Sequence, residues 1–271
     1  MQIIFLGTGG GRNVLINQLR GTGGFRLVGS RIIHCDPGPG ALLRCKQFGQ
    51  NPEKVDIIAV SHNHLDHAND ANLLVEAMTE CGKRRRGAVV ASVSVLEGNE
   101  RFDRALTRYH EVMAEKIFAL RAYEKAEFGS VTITATTTAH GDEEGVGLII
   151  EMDGVRVGYS GHTEYFEEMG KEFEGCDALI MNTLQPSGGK IPTHFGTDGA
   201  VRLLKALERK PKVAIIQHFG MGMLKAGPET EAAAIQEATG VRTVAAKDGM
   251  AVPAGETEKK AGEKKLTEFE G

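Results

Sequence analysis

No apolar run in these 271 residues approaches the roughly 18 that a membrane-crossing helix needs, so no membrane segment is expected. The opening Met1-Gln2-Ile3-Ile4-Phe5-Leu6-Gly7 lacks the basic region and apolar stretch of a secretory signal and reads instead as a first strand. A cytoplasmic location is the expectation. Cysteine is scarce. Cys35, Cys45, Cys81 and Cys176 are widely spaced with no Cys-x-x-Cys pair, which excludes a zinc-knuckle pattern and a disulfide framework. Excess charge of one sign is also missing. A net charge of −4 exerts no general pull on nucleic acid or anionic membrane, and Lys83-Arg84-Arg85-Arg86 reads most simply as a solvated loop. There is no repeat of solenoid length and no linker between two halves. With 41% hydrophobic and 25% charged residues, the composition is that of an ordinary soluble globular chain. One domain over residues 1–252 is expected, followed by a polar, charge-dense surface tail over 253–271.

Against that background the histidines stand out. There are nine, at positions 34, 62, 64, 67, 110, 140, 162, 194 and 218. Three of them, with one carboxylate, fall within Ser61-His62-Asn63-His64-Leu65-Asp66-His67, directly after the strand-like Val55-Asp56-Ile57-Ile58-Ala59-Val60. Four such groups in six residues are too many and too close for one tetrahedral ion, so two metals are implied. Imidazole and carboxylate suit zinc, manganese or iron. His140, His162, His194 and His218 each sit where a strand-like run ends or a small-residue loop begins. A lone histidine is more often structural than a ligand, but the recurrence of strand followed by histidine argues for placement of the whole set.

Strands and helices alternate along the chain. Strands are predicted over 3–6, 25–28, 31–35, 55–60, 88–95, 131–137, 146–152, 155–160, 178–181 and 213–217, with short ones near 241–252. Helices are predicted over 41–48, 69–81, 164–173, 197–208 and 228–239, and a charged helical excursion over 99–115. The glycine-rich Gly7 to Gly11 reads as a turn, and Asp153-Gly154 as a hairpin turn.

His62-Asn63-His64-Leu65-Asp66-His67 resembles the His-x-His-x-Asp-His motif of the metallo-β-lactamase superfamily, and the order of the other elements is similar along about residues 1–250. The resemblance implies an α/β (α+β) fold, the four-layer αβ/βα sandwich, with a metal site along one edge of two packed sheets. Phe5-Leu6-Gly7-Thr8-Gly9-Gly10 and Asp36-Pro37-Gly38-Pro39-Gly40 look most like the tRNase Z and cyclic-phosphate phosphodiesterase branch. Carried over by position, His62, His64 and His140 would hold a first ion, and Asp66, His67 and His218 a second. Asp36 would orient a metal histidine without binding metal. His194, in His194-Phe195-Gly196-Thr197-Asp198, resembles the extra histidine that assists at the phosphate as acid or oxyanion donor.

One position departs from the pattern. The motif usually written Ser-Gly-Asp-Thr, whose aspartate bridges the ions, stands here as Ser160-Gly161-His162-Thr163. A neutral imidazole offers one lone pair and cannot bridge as a carboxylate does. His162 is therefore expected either to ligate one metal terminally or to swing away and leave one ion, and the second site to be weaker. Glu164 is a candidate replacement carboxylate, with a helix-start role as its alternative.

The expected function is hydrolysis by a metal-bound hydroxide, with Asp66 orienting the nucleophile. The excess positive charge favours a small anionic substrate, most simply a small or cyclic phosphodiester. Arg12 and Asn13, beside the glycine-rich turn, are candidate phosphate contacts. Only eighteen residues separate His140 from Tyr159, which leaves no room for the long arm with which tRNase Z grips tRNA, so nucleic acid is not favoured as the partner. The segment 99–120 either roofs the site or forms an outer helix or a contact in a homo-oligomer. Two alternatives stand beside the main reading: lactone or thioester hydrolysis at the same site, and a noncatalytic metal-binding or sensing module.

Overall fold

The computed structural model describes residues 1–189 and 191–255; most of the expected tail, residues 256–271, lies outside them. In chain order the first half contains β1 (Gln2–Phe5), α1 (Gly11–Asn17), β2 (Phe25–Val28), β3 (Ile32–Cys35), α2 (Ala41–Gln47), β4 (Ile57–Val60), α3 (Leu65–Ala68), α4 (Ala71–Met78), β5 (Ala88–Ser92), α5 (Val93–Glu97), α6 (Arg108–Glu111) and β6 (Lys116–Leu120). The second half contains β7 (Lys125–Phe128), β8 (Val131–Thr136), β9 (Gly147–Met152), β10 (Val155–Tyr159), α7 (Met169–Glu172), β11 (Ala178–Asn182), α8 (Thr197–Ala206), β12 (Val213–Gln217), α9 (Met221–Ala226), α10 (Pro228–Thr239), β13 (Thr243–Ala245) and β14 (Ala251–Pro253).

The strands form two seven-stranded sheets, ordered β14-β1-β2-β3-β4-β5-β6 and β13-β12-β11-β10-β9-β8-β7. Within each, β3 to β6 and β10 to β13 pair in parallel, and interior members such as β4 and β12 are written as continuous apolar runs, Ile57-Ile58-Ala59-Val60 and Val213-Ala214-Ile215-Ile216. Both faces of such strands are covered.

The two-residue alternation decides which side chain faces which layer. From β4, Ile57 and Ala59 join the core between the sheets, with Ile33, Leu148, Ile150, Val157 and Ile180; Ile58 and Val60 point outward beneath Leu74, Val75 and Met78 of α4. The second sheet behaves likewise, with Ile215 inward and Ile216 outward among Leu203, Leu204 and Ile235 of α8 and α10. Helix, sheet, sheet, helix is the four-layer sandwich that the motif resemblance implies.

Several predicted elements are shorter or differently shaped. The excursion over 99–115 is helical only at α6. The Asn99 side chain accepts the backbone N–H groups of Arg101 and Phe102, and this local turn competes with helix formation. Only α7 forms within the predicted 164–173 helix, and the strand expected over 88–95 ends at Ser92, where the chain turns into α5. The turn expected at Gly7 to Gly11 gives way to α1 from Gly11. Strands β6 and β7 and helix α9 were not expected. No helix among the described residues is long and apolar enough to cross a membrane.

Candidate metal centre

The site assembles where strands end. Asp36 follows β3, His62 follows β4, His140 follows β8, His162 follows β10 and His218 follows β12. In open α/β sheets the carboxyl ends of parallel strands are the usual place for a ligand. His62, His67, His162 and His218 are buried, and the rings pack edge to edge or stacked, His140 against His162 with centroids 4.2 Å apart.

The hydrogen bonds fix which ring nitrogen faces inward. His62 Nδ1 lies 2.9 Å from Ser61 Oγ, whose own proton goes to Asp36 Oδ2, so His62 Nδ1 donates and its Nε2 is left bare. His140 Nδ1 donates to the Thr193 carbonyl at 3.0 Å, which bares its Nε2 as well. His67 Nδ1 donates to Asp36 Oδ2 at 2.8 Å. His64 Nδ1 stands 3.2 Å from both His62 Nε2 and His140 Nε2, and His162 Nδ1 stands 3.4 Å from His62 Nε2. Beside them, Asp66 Oδ2 lies 3.6 Å from His67 Nε2 and 3.6 Å from His218 Nε2.

This spacing and donor state test the fit to a metal. Donors held about 2.0–2.1 Å from a tetrahedral ion lie about 3.3 Å from one another. The buried Nε2 atoms of His67, His162 and His218 have no hydrogen-bond partner, a costly state for a polar group unless something binds there. Three groupings of donor atoms result: Asp36, His62 and His67 form the hydrogen-bonded support, and the other two, His62, His64, His140 and His162, and His67, His162 and His218, are donor sets that share His162, with Asp66 at the side of the second. The residues fit divalent ions.

Electrostatics keeps the rings in the ligand form. Burial, reinforced by neighbouring imidazoles, pushes His62 and His162 well below the usual histidine pKa, takes His140 to about 4, and takes His218 to about 3. Neutral imidazole is the form that binds metal. His67 is the exception. Burial lowers its pKa, but Asp66 and Asp36 outweigh burial and raise it. The Asp66 carboxyl is pushed up by burial, yet His67, His218 and His64 hold it below the usual carboxylate range.

Backbone strain is concentrated at the same place. Asp36, Thr193 and His218 adopt φ of 50°, 60° and 63°, a left-handed conformation that costs a non-glycine residue about 1–3 kcal/mol where it is sparsely populated. The glycine-rich turn explains how His218 is accommodated. A Cβ on Gly10 would lie 2.3 Å from His218 Cδ2, and Gly10 N–H donates to the Phe219 carbonyl. That turn packs against a candidate ligand.

Asp36 is the anchor of the support. It accepts from Ser61 N at 2.7 Å, Ser61 Oγ at 2.7 Å, His67 Nδ1 at 2.8 Å and Tyr159 Oη at 2.5 Å. Tyr159 in turn accepts from Asn182 Nδ2 and Asn182 Oδ1 from Gln217 Nε2, so a buried chain links the second sheet to His67. Asp142 is also buried and accepts from Asn63 N and Ser94 Oγ, which steadies the loop between His62 and His64. Tyr159, Asn182, Gln217 and Asp142 were not singled out from the sequence. Only Asp142, two residues beyond His140, carried a local signal.

The remaining candidates lie around this centre. His194 is half-buried, its ring 4.5 Å from that of His162 and 5.1 Å from that of His140; Nδ1 donates to the Pro192 carbonyl at 2.7 Å and leaves Nε2 free to act. Glu164 is exposed and accepts from Thr193 N, so it props the His194 loop and begins no helix. Arg12 and Asn13 are exposed on α1 and make no ion pair or side-chain hydrogen bond with the histidines among the described residues. Phe102, from the 99–107 segment, stands edge-on to His64 with centroids 5.5 Å apart.

Comparison with known proteins agrees with this geometry. The sequence profile of the β-lactamase superfamily domain matches residues 31–219. An uncharacterized protein of Methanocaldococcus jannaschii is 34% identical over 253 residues, 93% of this chain and 94% of that one. A UPF0173 metal-dependent hydrolase of Archaeoglobus fulgidus is 29% identical over 217 residues, 73% of this chain and 80% of its own. Among solved structures, the metallo-β-lactamase fold protein YhfI from Bacillus subtilis superposes with a TM-score of 0.74 at 19% identity, covering 93% of this chain and 98% of that one. A diphosphatase from the PhnP family does so with a TM-score of 0.65 at 18% identity, covering 93% and 97%. The motif, the two-sheet architecture and the profile match converge, and the chain belongs to the β-lactamase superfamily.

Proposed function

We propose that this chain is a metal-dependent hydrolase that binds two divalent ions, zinc by preference, and cleaves a phosphodiester in a small anionic substrate. The observation that carries the reading is the convergence of bare, buried imidazole nitrogens into two adjoining donor sets with Asp66 beside them. His62, His64 and His140 would hold one ion and His67, His218 and Asp66 the other. Bound there, such ions acidify a water and stabilise charge developing on the attacked group.

The residues of the chain supply the rest. Asp66 is ionised and close enough to both His67 and His218 to orient a nucleophile against them. His194 packs its ring against His162 from the opposite loop with Nδ1 held by the Pro192 carbonyl, and its Nε2 would serve to donate a proton to a leaving oxygen and accept one back. Phe102 walls the side of His64 and limits how large a group fits over that ion. The tight Asp153-Gly154 turn joining β9 and β10 leaves no arm to grip a folded nucleic acid, which supports a small substrate. Support for phosphorus over carbon comes from the positive charge that two ions bring against one adjoining carboxylate, and from the PhnP-family diphosphatase among the structural neighbours.

The test strips the protein with chelator, reloads it separately with zinc, manganese and iron, and follows hydrolysis of an activated phosphodiester beside a lactone, with His62→Ala as control. Metal-restored phosphodiester cleavage that the variant lacks is expected. Lactone turnover alone would move the chemistry to carbon. No turnover with any metal would leave a metal-binding module.

A further inference from the structure

His162 is the one residue common to both donor sets. Its Nδ1 lies 3.4 Å from His62 Nε2, the spacing of two donors on one ion. Its Nε2 is buried without a hydrogen-bond partner, as are the Nε2 atoms of His67 and His218, the other members of the second set. The ring is held rather than free to swing. It is stacked on His140 and packed at 4.5 Å against both His194 and His218, while the preceding Gly161 takes φ of 61° and leaves no room for a Cβ, which would fall 2.5 Å from the Val146 carbonyl oxygen. Neither ring nitrogen is engaged by a carbonyl, hydroxyl or carboxylate among the described residues. By contrast, His62 spends its Nδ1 on Ser61 and His67 spends its Nδ1 on Asp36.

We infer that the His162 ring bridges the two ions, Nδ1 to the first and Nε2 to the second, in the place where a carboxylate would otherwise join them. This rests on the proposal that two ions bind. A neutral imidazole has one lone pair; loss of the remaining ring proton to the buffer frees the second, and the two positive centres are what stabilise the resulting anion. The bridge then supplies one negative charge where the aspartate is missing, and with Asp66 it still leaves the pair of ions net positive towards an anionic substrate.

The bridge fixes a distance. Two metal–nitrogen bonds of about 2.0–2.1 Å on either side of an imidazole ring place the ions roughly 6 Å apart, against about 3.5–4 Å in ordinary two-metal sites.

The experiment is a crystal structure of the zinc-loaded full chain with anomalous data at the zinc edge, taken with the metal content of the same sample. Two anomalous peaks roughly 6 Å apart with the His162 ring between them are expected, at about two zinc per chain. Two peaks about 3.5–4 Å apart, with the ring on one of them, would overturn the bridge while leaving the two-metal reading intact. A single peak at about one zinc per chain would overturn both. Copper supplies an independent readout. Added stepwise, the second Cu(II) is expected to diminish the electron paramagnetic resonance signal through coupling across the ring, and in His162→Gln each bound Cu(II) is expected to give its full uncoupled signal. Undiminished signal from two coppers in the unaltered protein counts against the bridge. Phosphodiester cleavage is assayed apart from these measurements, so its failure is not confused with failure of the bridge.

Discussion

A single carboxylate decides how His67 behaves. Asp36 receives the Nδ1 proton of His67 and so directs Nε2 at the candidate second ion, while its own pKa, pushed up by burial, is brought below the usual range by His67, Tyr159 and Ser61. In Asp36→Asn the amide keeps the shape but loses half of its accepting capacity and the charge. Outer partners of this kind typically contribute about 10–100-fold to metal affinity or activity. A loss of that size in zinc affinity, measured by competition with a chromophoric chelator, is expected, with far-ultraviolet circular dichroism unchanged. His34 offers a residue-scale prediction away from the cluster. It is buried, donates from Nε2 to the Gly23 carbonyl, and its pKa is pushed down to about 3 by burial with help from Arg26. An unfolded histidine titrates near 6.5, so between those values the unfolded chain holds one more proton than the folded chain at this site. Its contribution is undiminished above about pH 6.5 and is lost progressively as pH falls towards 3. Urea unfolding of metal-free protein between pH 7 and 4 should show a slope shallower in His34→Gln by up to about 1.4 kcal/mol per pH unit. An equal slope in the two proteins would show that His34 is not held neutral.

At the scale of elements, the glycine-rich turn before α1 is tied to the candidate metal centre. Read in the sequence as a turn beside Arg12 and Asn13, it packs Gly10 against the His218 ring with no room for a methyl group. Gly10→Ala is therefore expected to displace His218 and lower the metal content of the purified protein. Gly154→Ala serves as contrast. Gly154 also has positive φ, 71°, but a Cβ there meets nothing, so it should cost about 1–2 kcal/mol in unfolding free energy and leave metal binding intact. If both variants hold the same metal, Gly10 is only a turn residue. The clustering of the histidine loop was legible because its information is local: a buried strand, then His62, His64, Asp66 and His67 within six residues. The helices α8 and α10 were legible from their apolar spacing, and α10 from Pro228 at its start and Gly240 just past its end. The 99–115 segment was not, because the Asn99 side chain, not residue spacing, decides its backbone.

The whole molecule enters the site through contacts that no local pattern encodes. Tyr159 lies 123 positions from Asp36, and its hydroxyl crosses the space between the two sheets to reach that carboxylate. Asn182 and Gln217, at the ends of neighbouring parallel strands β11 and β12, extend the chain of hydrogen bonds through the interior, and each looks in the sequence like an unremarkable polar residue closing an apolar strand. The hydrogen-bonded chain ties the first sheet's Asp36 and His67 to the second sheet through Tyr159, and so bears on how those residues stand against the second sheet's His162 and His218. Tyr159→Phe tests this, since it keeps the ring that packs edge-on against Phe25 and removes only the hydroxyl. Asp36 keeps three donors, while Asn182 Nδ2 loses its partner. The expected cost is about 1–3 kcal/mol in unfolding free energy. If the chain also sets the registry of the site, the variant should in addition bind its second zinc more weakly relative to its first than the unaltered protein does, read as a wider separation between the two steps of a zinc titration. Loss of stability with both steps unmoved would confine the hydroxyl to holding the sheets together and leave the placement of the metal residues to the strand ends alone.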